Sequence, residues 1–536
     1  MNQEHILSLC GGEDNLTRVL IDGDSVTIEV TDLSLSQFAI EQCDLALNQY
    51  TFAAEEKPDQ TVCAALGRVI ESNQRKKLLG VTTPVESNHR PTWHVSPPQG
   101  LLNDPNGFIL HDGIYHLFYQ WSPFECLHKD KYWAHLTSSD LVNWAWQPVA
   151  LTPSDWFDSH GVFSGHALSV GDELKLFYTG NVRIGPERKR LTSQCVATSN
   201  DGVIFEKQGT VIAMPPQGVT EHIRDPKIVP YQDHYRMLLG AQTEGLQGRL
   251  AIYRSDDLQD WHYMGLMGQE FGDLGYMWEC PDMFTLGEQE FVVIGPQGIE
   301  SSSEYHTIPH HNGIAKGVWV GDEKLVLSGF EHLDHGFDFY APQTAMTESG
   351  ERVMSGWMGL PDEVDHPSAD DGWVHQLTAL RSLSFESGKL RQRPFSGYEQ
   401  LRQGKMHFED GQLDVGTKSF ELKITLEWGS ELKLFDNRHH HLSIRLDEST
   451  HTLLLDRSQT LLRDGDTVRE LKLEPHPVEL TILADTSSVE VFINDGEYVM
   501  TSRVFTPTDA TNISVSDEFK DATLWKLAPA SEPFKA

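Results

Sequence analysis

The sequence predicts an all-β chain: a five-bladed β-propeller, then a β-sandwich, with a small α/β appendage in front. Three observations carry this reading. Five stretches between residues 103 and 359 repeat one plan at a steady spacing. After about residue 405 the texture becomes plain apolar–polar alternation, and the first 85 residues share neither pattern. A chain of 536 residues also exceeds what one hydrophobic core usually serves, so two or three domains are expected.

In chain order, the appendage (1–85) contains a helical stretch over 56–77, and Glu86-Ser-Asn-His-Arg-Pro91 reads as a linker. The propeller is expected over 90–400. Its repeats are NDPNGFILHDGIYHLFYQW from Asn103, SGHALSVGDELKLFYTG from Ser164, RDPKIVPYQDHYRMLLGAQ from Arg224, ECPDMFTLGEQEFVVIGPQG from Glu279 and YAPQTAMTESGERVMSGWMG from Tyr340. Their starts lie 61, 60, 55 and 61 residues apart. Each has a small-residue or proline start, an apolar strand, a polar turn and a second strand. A further motif recurs between them as SSDLVNW, SNDGVIF and SDDLQDW, a polar turn leading into an aromatic strand residue. Strands with turn signals at this period indicate sheets arranged radially, one per repeat.

The sandwich is expected over 405–536. SFELKITLEW, HHLSIRLDE, HTLLLDRS and VELTILAD alternate with period two, and Asn494-Asp495-Gly496 marks a hairpin turn. His439, His440 and His441 form a run, but consecutive strand residues point to opposite faces, so no metal site follows.

Composition narrows the function classes. The chain has 42 basic and 79 acidic residues, a formal charge of −37. A field of that sign repels phosphate backbones and anionic lipid, which argues against nucleic-acid and membrane-surface roles. An anionic substrate would need a local basic cluster working against the global field. Six scattered cysteines without a CxxC pair are neither a disulfide framework nor a zinc site. With no signal-like start and no apolar run of about 18 residues, the expected location is the cytoplasm. Homo-oligomerisation stays open.

Chemistry is expected at the hub. In a propeller the innermost strand of each blade begins beside the axis, so the repeat starts converge there. Three starts carry acids: Asp104, Asp225 and Glu279. Alignment on Pro105, Pro226, Pro281 and Pro342 puts them at, or one residue from, equivalent positions. Carboxylates held together in a partly dry site push their pKa values apart, so one stays an anion while another keeps its proton. Glycoside hydrolysis needs that pairing.

WHVSPPQGLLNDPNGF (93–108), HIRDPKIV (222–229) and MWECPDMF (277–284) resemble the three signature blocks of glycoside hydrolase family 32, the invertases and sucrose-6-phosphate hydrolases. FYQW, FSG, FDFYAPQT, GWMG, GWVHQLTALRSL and SSVEVFINDGEYVMTSRVF match as well, so the resemblance spans about 90–530. It implies Asp104 as nucleophile, Glu279 as acid/base and Asp225 as the holder of fructose hydroxyls. It further implies sugar contacts from Leu101, Leu102, Asn103, Gln120, His128, Phe163, Ser164 and Arg224, with Tyr340 and Trp357 as pocket wall. Cys280 would tune its neighbouring acid or serve as a small buried filler. No metal and no organic cofactor is implied. Leu102 stands where invertases often carry Met. The stretch SPFECLHKDKYWAH lacks the Trp that secreted invertases tend to place near His128, and is nearer to the sucrose-6-phosphate branch. Lys131 or Lys129 there is expected to meet a glucose 6-phosphate, unless it is a solvated loop lysine. The implied substrate is sucrose 6-phosphate, with sucrose beside it. A fructosyltransferase or fructan hydrolase on the same scaffold, or a non-enzymatic sugar-binding protein, are the alternatives. ILSLCGGEDNLTRVL with VTIEVTD (6–32) also resembles the opening of phosphotransferase IIB domains, with Asp22 where those carry a phosphorylatable Cys.

Overall fold

The computed structural model describes residues 1–299, 309–463, 465–516 and 519–531. Each repeat becomes an antiparallel sheet whose strands lie in sequence order. The first sheet runs Gly100–His111, Ile114–Ser122, Tyr132–Ser138 and Ala145–Trp146. The second spans 162–212, the third 219–267 and the fourth 277–331. The fifth is built from Tyr340–Met346, Arg352–Met358, Arg381–Glu386 and Lys389–Pro394, with Gln376–Leu377 on its second strand. The first strand of every sheet contacts that of the next, and the fifth contacts the first. Trp373–Val374 then pairs in parallel with Gly100–Leu101, tying the end of the ring to its beginning. Apolar faces of neighbouring sheets fill the gaps between them, as where Met237, Leu239, Ile223 and Phe177 pack together. Gly240 has no room for a side chain, because a Cβ there would strike the Trp278 carbonyl of the next sheet.

The polar-turn motif has one structural cause in all three copies. Asp140 accepts from the N–H groups of Val142 and Asn143, Asp201 from Val203 and Ile204, and Asp257 from Gln259 and Asp260. A side-chain carboxylate thus satisfies the turn between third and fourth strands.

Beyond the ring, two six-stranded sheets pack face to face over 402–527. Leu422, Leu432, Leu453, Ile482 and Val491 are fully buried between them. Asn494, Asp495 and Gly496 all take positive φ in the hairpin joining Ser488–Ile493 to Tyr498–Arg503, as their sequence demands. The fold is the expected one, a propeller followed by a β-sandwich, fronted by an α/β unit.

That unit has a four-stranded sheet covered by helices α1 (Gln3–Cys10) and α2 (Gln60–Leu78). The helix expected over 56–77 starts four residues later. Pro58 disfavours helix before it, and Asp59 caps the new start by accepting from Val62 N–H at 2.9 Å. Gln74 and Arg75 of α2 donate to the carbonyls of Pro153 and Val149, docking the unit on the propeller. Asp22 closes the first strand on an exposed edge. Among the described residues no helix is long and apolar enough to cross a membrane.

Candidate active site

The catalytic candidates sit on one repeated backbone defect. Pairing between first and second strands slips between Leu102 and Pro105, Arg224 and Lys227, Glu279 and Asp282, and Tyr340 and Gln343. Each slip spans the residue before the aligned proline. Asp225 (φ 66°), Cys280 (47°) and Ala341 (49°) adopt left-handed backbone there. Such positions cost about 1–3 kcal/mol each in non-glycine residues and persist where surrounding structure enforces them. A bulge re-aims side chains, and here it turns the repeat starts toward the axis.

The three acids meet around Cys280. Its N–H donates to Asp225 Oδ2 at 2.9 Å, and its sulfur lies 3.5 Å from that oxygen and 3.7 Å from Asp104 Oδ2. The Ser164 hydroxyl donates to Asp104. Asp225 N–H donates to Thr179 Oγ1 at 3.0 Å. Arg224 reaches Glu279 Oε1 through Nε (2.8 Å) and Nη2 (2.6 Å), while the Tyr340 hydroxyl donates to Oε2 at 2.7 Å.

These surroundings separate the three carboxyls. Burial raises Asp104 above the usual carboxylate range, and Glu279 adds to this against Ser164, Asn103 and Lys131. Burial pushes Asp225 up to about 7, with Arg224 opposing and Glu279 and Asp104 reinforcing. Burial also acts on Glu279, but Arg224, His310 and Tyr340 overcome it and hold the group at about 2. Arg224 and Tyr340 thus favour the anion of Glu279, while burial favours the neutral forms of Asp225 and Asp104.

The cavity encloses about 580 Å³. Asn103, Gln120, His128, Lys131, Phe163, Arg224, Tyr340 and Trp357 line it with the three acids. Leu101 and Leu102, expected as sugar contacts, do not. Both are fully buried along the innermost strand, and Leu102 packs into the apolar core. Adjacent strand residues point to opposite faces, and both faces of this innermost strand are covered at Leu101 and Leu102. Asn103 joins Gln120 (2.5 Å) and Lys131 (2.7 Å), and Lys131 also meets His128 Nδ1 at 2.9 Å. Burial lowers Lys131 to about 7, with Asp104 opposing. Lys129 lines the rim of the same cavity, its side chain 59% exposed and 3.8 Å from Glu125.

Six lining residues escape the sequence reading: Asp130, His160, Asn181, Arg183, Arg188 and Pro361. The signal for the two arginines was the hairpin RIGPERKR (183–190), four basic residues in eight within a strongly acidic chain. Three larger cavities, about 820, 910 and 730 Å³, lie between appendage and propeller, along residues 84–96, and beside the turns at 286–289 and 383–385. Asp338, Glu363 and His366 form a cluster with metal-ligand chemistry. It lies outside the pocket lining, and Arg457 already occupies Asp338 at 2.7 Å.

Residues 94–394 match the glycosyl hydrolases family 32 N-terminal domain and 386–527 the family 32 C-terminal domain. A probable sucrose-6-phosphate hydrolase of Psychromonas ingrahamii is 53% identical over 99% of both chains. The sucrose-6-phosphate hydrolase of Bacillus subtilis is 39% identical over 82% of this chain and 92% of its own. The solved sucrose-6-phosphate hydrolase of Lactobacillus gasseri superposes with a TM-score of 0.80 at 30% identity, covering 85% of this chain and 96% of that one. With its acids gathered at the hub and both family domains present end to end, the chain belongs to glycosyl hydrolase family 32 and is a glycoside hydrolase.

Proposed function

We propose that the protein is a retaining β-fructofuranosidase that splits sucrose 6-phosphate, and sucrose, into fructose and glucose 6-phosphate or glucose. The observation that carries this is the meeting of Asp104, Asp225 and Glu279 around Cys280 from three separate sheets. Asp104, whose charge is steadied by Ser164 and Lys131, attacks the anomeric carbon of the fructosyl unit. Glu279 protonates the departing glucosyl oxygen and then takes a proton from water. Asp225 holds fructose hydroxyls whose hydrogen bonds strengthen as positive charge grows on the ring.

The resting pocket adds a step. Glu279 cannot donate a proton while Arg224 grips Oε1. Burial alone pushes its carboxyl up, so a sugar oxygen that draws Arg224 away raises the Glu279 pKa and arms the acid.

In the same reading, residues 90–400 are the catalytic propeller with each sheet one blade, 405–536 the sandwich, and 1–85 an appendage. All six cysteines are free thiols, which suits a reducing cytoplasm. The test is fructose release from sucrose 6-phosphate, with quenched digests of Glu279→Gln searched for a fructosyl adduct. An adduct on the Asp104 peptide supports the assignment. Turnover without one in any variant, or Asp104→Asn at near-normal rate, overturns it.

A further inference from the structure

The hairpin of Glu173–Ile184 and Lys189–Ser199 holds a charge arrangement that folding alone does not favour. Arg183 stands directly opposite Arg190 across the two strands, and like charges in that position destabilise a sheet. Arg188 joins them from the turn. Among the described residues none of the three forms an ion pair, although the chain carries 79 acidic residues. Arg183 reaches only the Arg188 carbonyl, at 3.5 Å. The Arg190 Nε is buried without a partner, and its guanidinium lies over the Phe163 ring at 5.6 Å.

The cluster looks into the pocket. Thr179, Asn181 and Arg183 share one face of a strand, since side chains two apart point the same way. Thr179 anchors the Asp225 backbone, while Asn181 and Arg183 line the cavity with Arg188. Four residues of strand put Arg183 about 13 Å along from Thr179, outward from the acids. His160 completes the set. Its Nδ1 accepts from Arg183 N–H at 3.2 Å, so a neutral ring carries its proton on Nε2. Burial holds that ring neutral, at about 3.

We propose that Arg183 and Arg188, with Arg190 behind them and the His160 Nε2–H beside them, form a phosphate subsite for the leaving half of the substrate. This rests on the reading that the pocket cleaves a fructosyl glucose 6-phosphate. It moves the phosphate contact away from Lys131, which is committed to Asn103 and His128, and from Lys129, which lines the cavity rim but is 59% exposed and faces Glu125. Guanidinium groups suit the task, because their planar donors match phosphate oxygens in pairs. They also supply the local positive field that an anionic sugar needs near a chain of charge −37.

Two measurements test it. The first is the ratio of kcat/KM for sucrose 6-phosphate to that for sucrose, in the wild type, Arg183→Ala, Arg188→Ala, the double variant and Lys129→Ala. The second is calorimetric binding of glucose 6-phosphate and glucose to the same proteins, with circular dichroism confirming the fold. Each arginine change is expected to lower the ratio by about 10- to 100-fold, as loss of one charged hydrogen-bond partner does. Glucose 6-phosphate affinity should fall in parallel, and Lys129→Ala, at the rim of the same cavity, should lower each by less than either arginine change does. If wild-type enzyme prefers sucrose 6-phosphate and the double variant keeps that preference, the subsite is overturned while the hydrolase reading stands. If glucose 6-phosphate binds through the arginines but neither sugar is cleaved, the subsite stands and the hydrolase reading falls.

Discussion

The pocket at the hub and the seam between propeller and sandwich are both built from buried charge, and they treat it in opposite ways. At the seam the three acids around His94 and Arg381 are saturated. Asp485 accepts from the backbone of Thr92, Trp93 and Thr486 and pairs with His94 at 3.0 Å. Glu490 takes His94, Ala379 N–H and Arg381. Asp334 takes Arg381, Thr501 and Gly336 N–H. In the pocket, burial outweighs the partners of Asp104 and Asp225, two residues beside them are held at positive φ, and among the described residues Arg183, Arg188 and Arg190 form no ion pair. A saturated network fixes one arrangement, whereas an unsaturated one leaves groups free for an incoming sugar.

The sharpest way to break this contrast is to remove one charge from each place. Asp104→Asn should lower kcat by about 10⁴-fold or more, as loss of a nucleophile does. Its thermal midpoint should not fall, because a buried acid already pushed toward its neutral form is exchanged for a neutral isostere. A stopped assay beside differential scanning fluorimetry reads both. Loss of stability with retained turnover would reverse the roles of the two regions.

Arg381→Leu is the reciprocal change. It strands Asp334 and Glu490 in a dry seam. Breaking a buried pair in this way costs about 3–5 kcal/mol. Unfolding by urea should show that loss, while kcat/KM per folded molecule stays near the wild-type value.

The two regions also differ in how far the sequence reveals them. Asp104, Asp225 and Glu279 share a register with a proline in repeating segments, so periodicity alone brings them together. Period-two alternation likewise announces the sandwich strands. The seam has no such signal: His94 and Asp485 lie 391 residues apart, and nothing local marks them as partners. Lys131 was legible as a basic residue in the right stretch, but not as one turned inward, since strand phase after an irregular loop decides which lysine is buried. Leu101 and Leu102 fail for the converse reason, because adjacency in sequence to Asn103 does not survive the bulge. The bulge itself, with left-handed Asp225, Cys280 and Ala341, is a tertiary product of ring closure.

Within the pocket a milder change sharpens the electrostatic account. Lys131 lowers the Asp104 pKa and is itself lowered to about 7 by burial. As the proposed nucleophile, Asp104 must be an anion to attack, so its titration sets the acid limb of kcat/KM. Lys131→Met removes the stabilising charge, and the acid limb should move to higher pH. Near pH 6 the rate should fall by about tenfold, the size of one charge-assisted contact. A limb that stays in place would detach Lys131 from the nucleophile.

The smallest expected effect concerns the seam's response to pH. His94 is buried, yet Asp485 and Glu490 overcome the cost of desolvation and raise its pKa above 6.5. Its contribution is fully present below pH 6.5 and is lost as pH rises through the raised folded value. Burial would raise Asp485 and Glu490, but His94, Arg381 and backbone N–H groups hold both below their usual values. Their contribution is present above pH 4.5 and is lost as pH falls through the depressed folded values. The thermal midpoint should therefore decline on both sides of a plateau starting near pH 4.5. His94→Gln should erase the alkaline decline while lowering the plateau by a few degrees, because a neutral amide cannot gain or lose that proton. The kcat/KM profile of the same variant should keep its limbs, which belong to Asp104 and the acid partners at the hub. If His94→Gln shifts those limbs, the seam and the pocket titrate as one network, and the division between saturated scaffold and unsaturated site disappears.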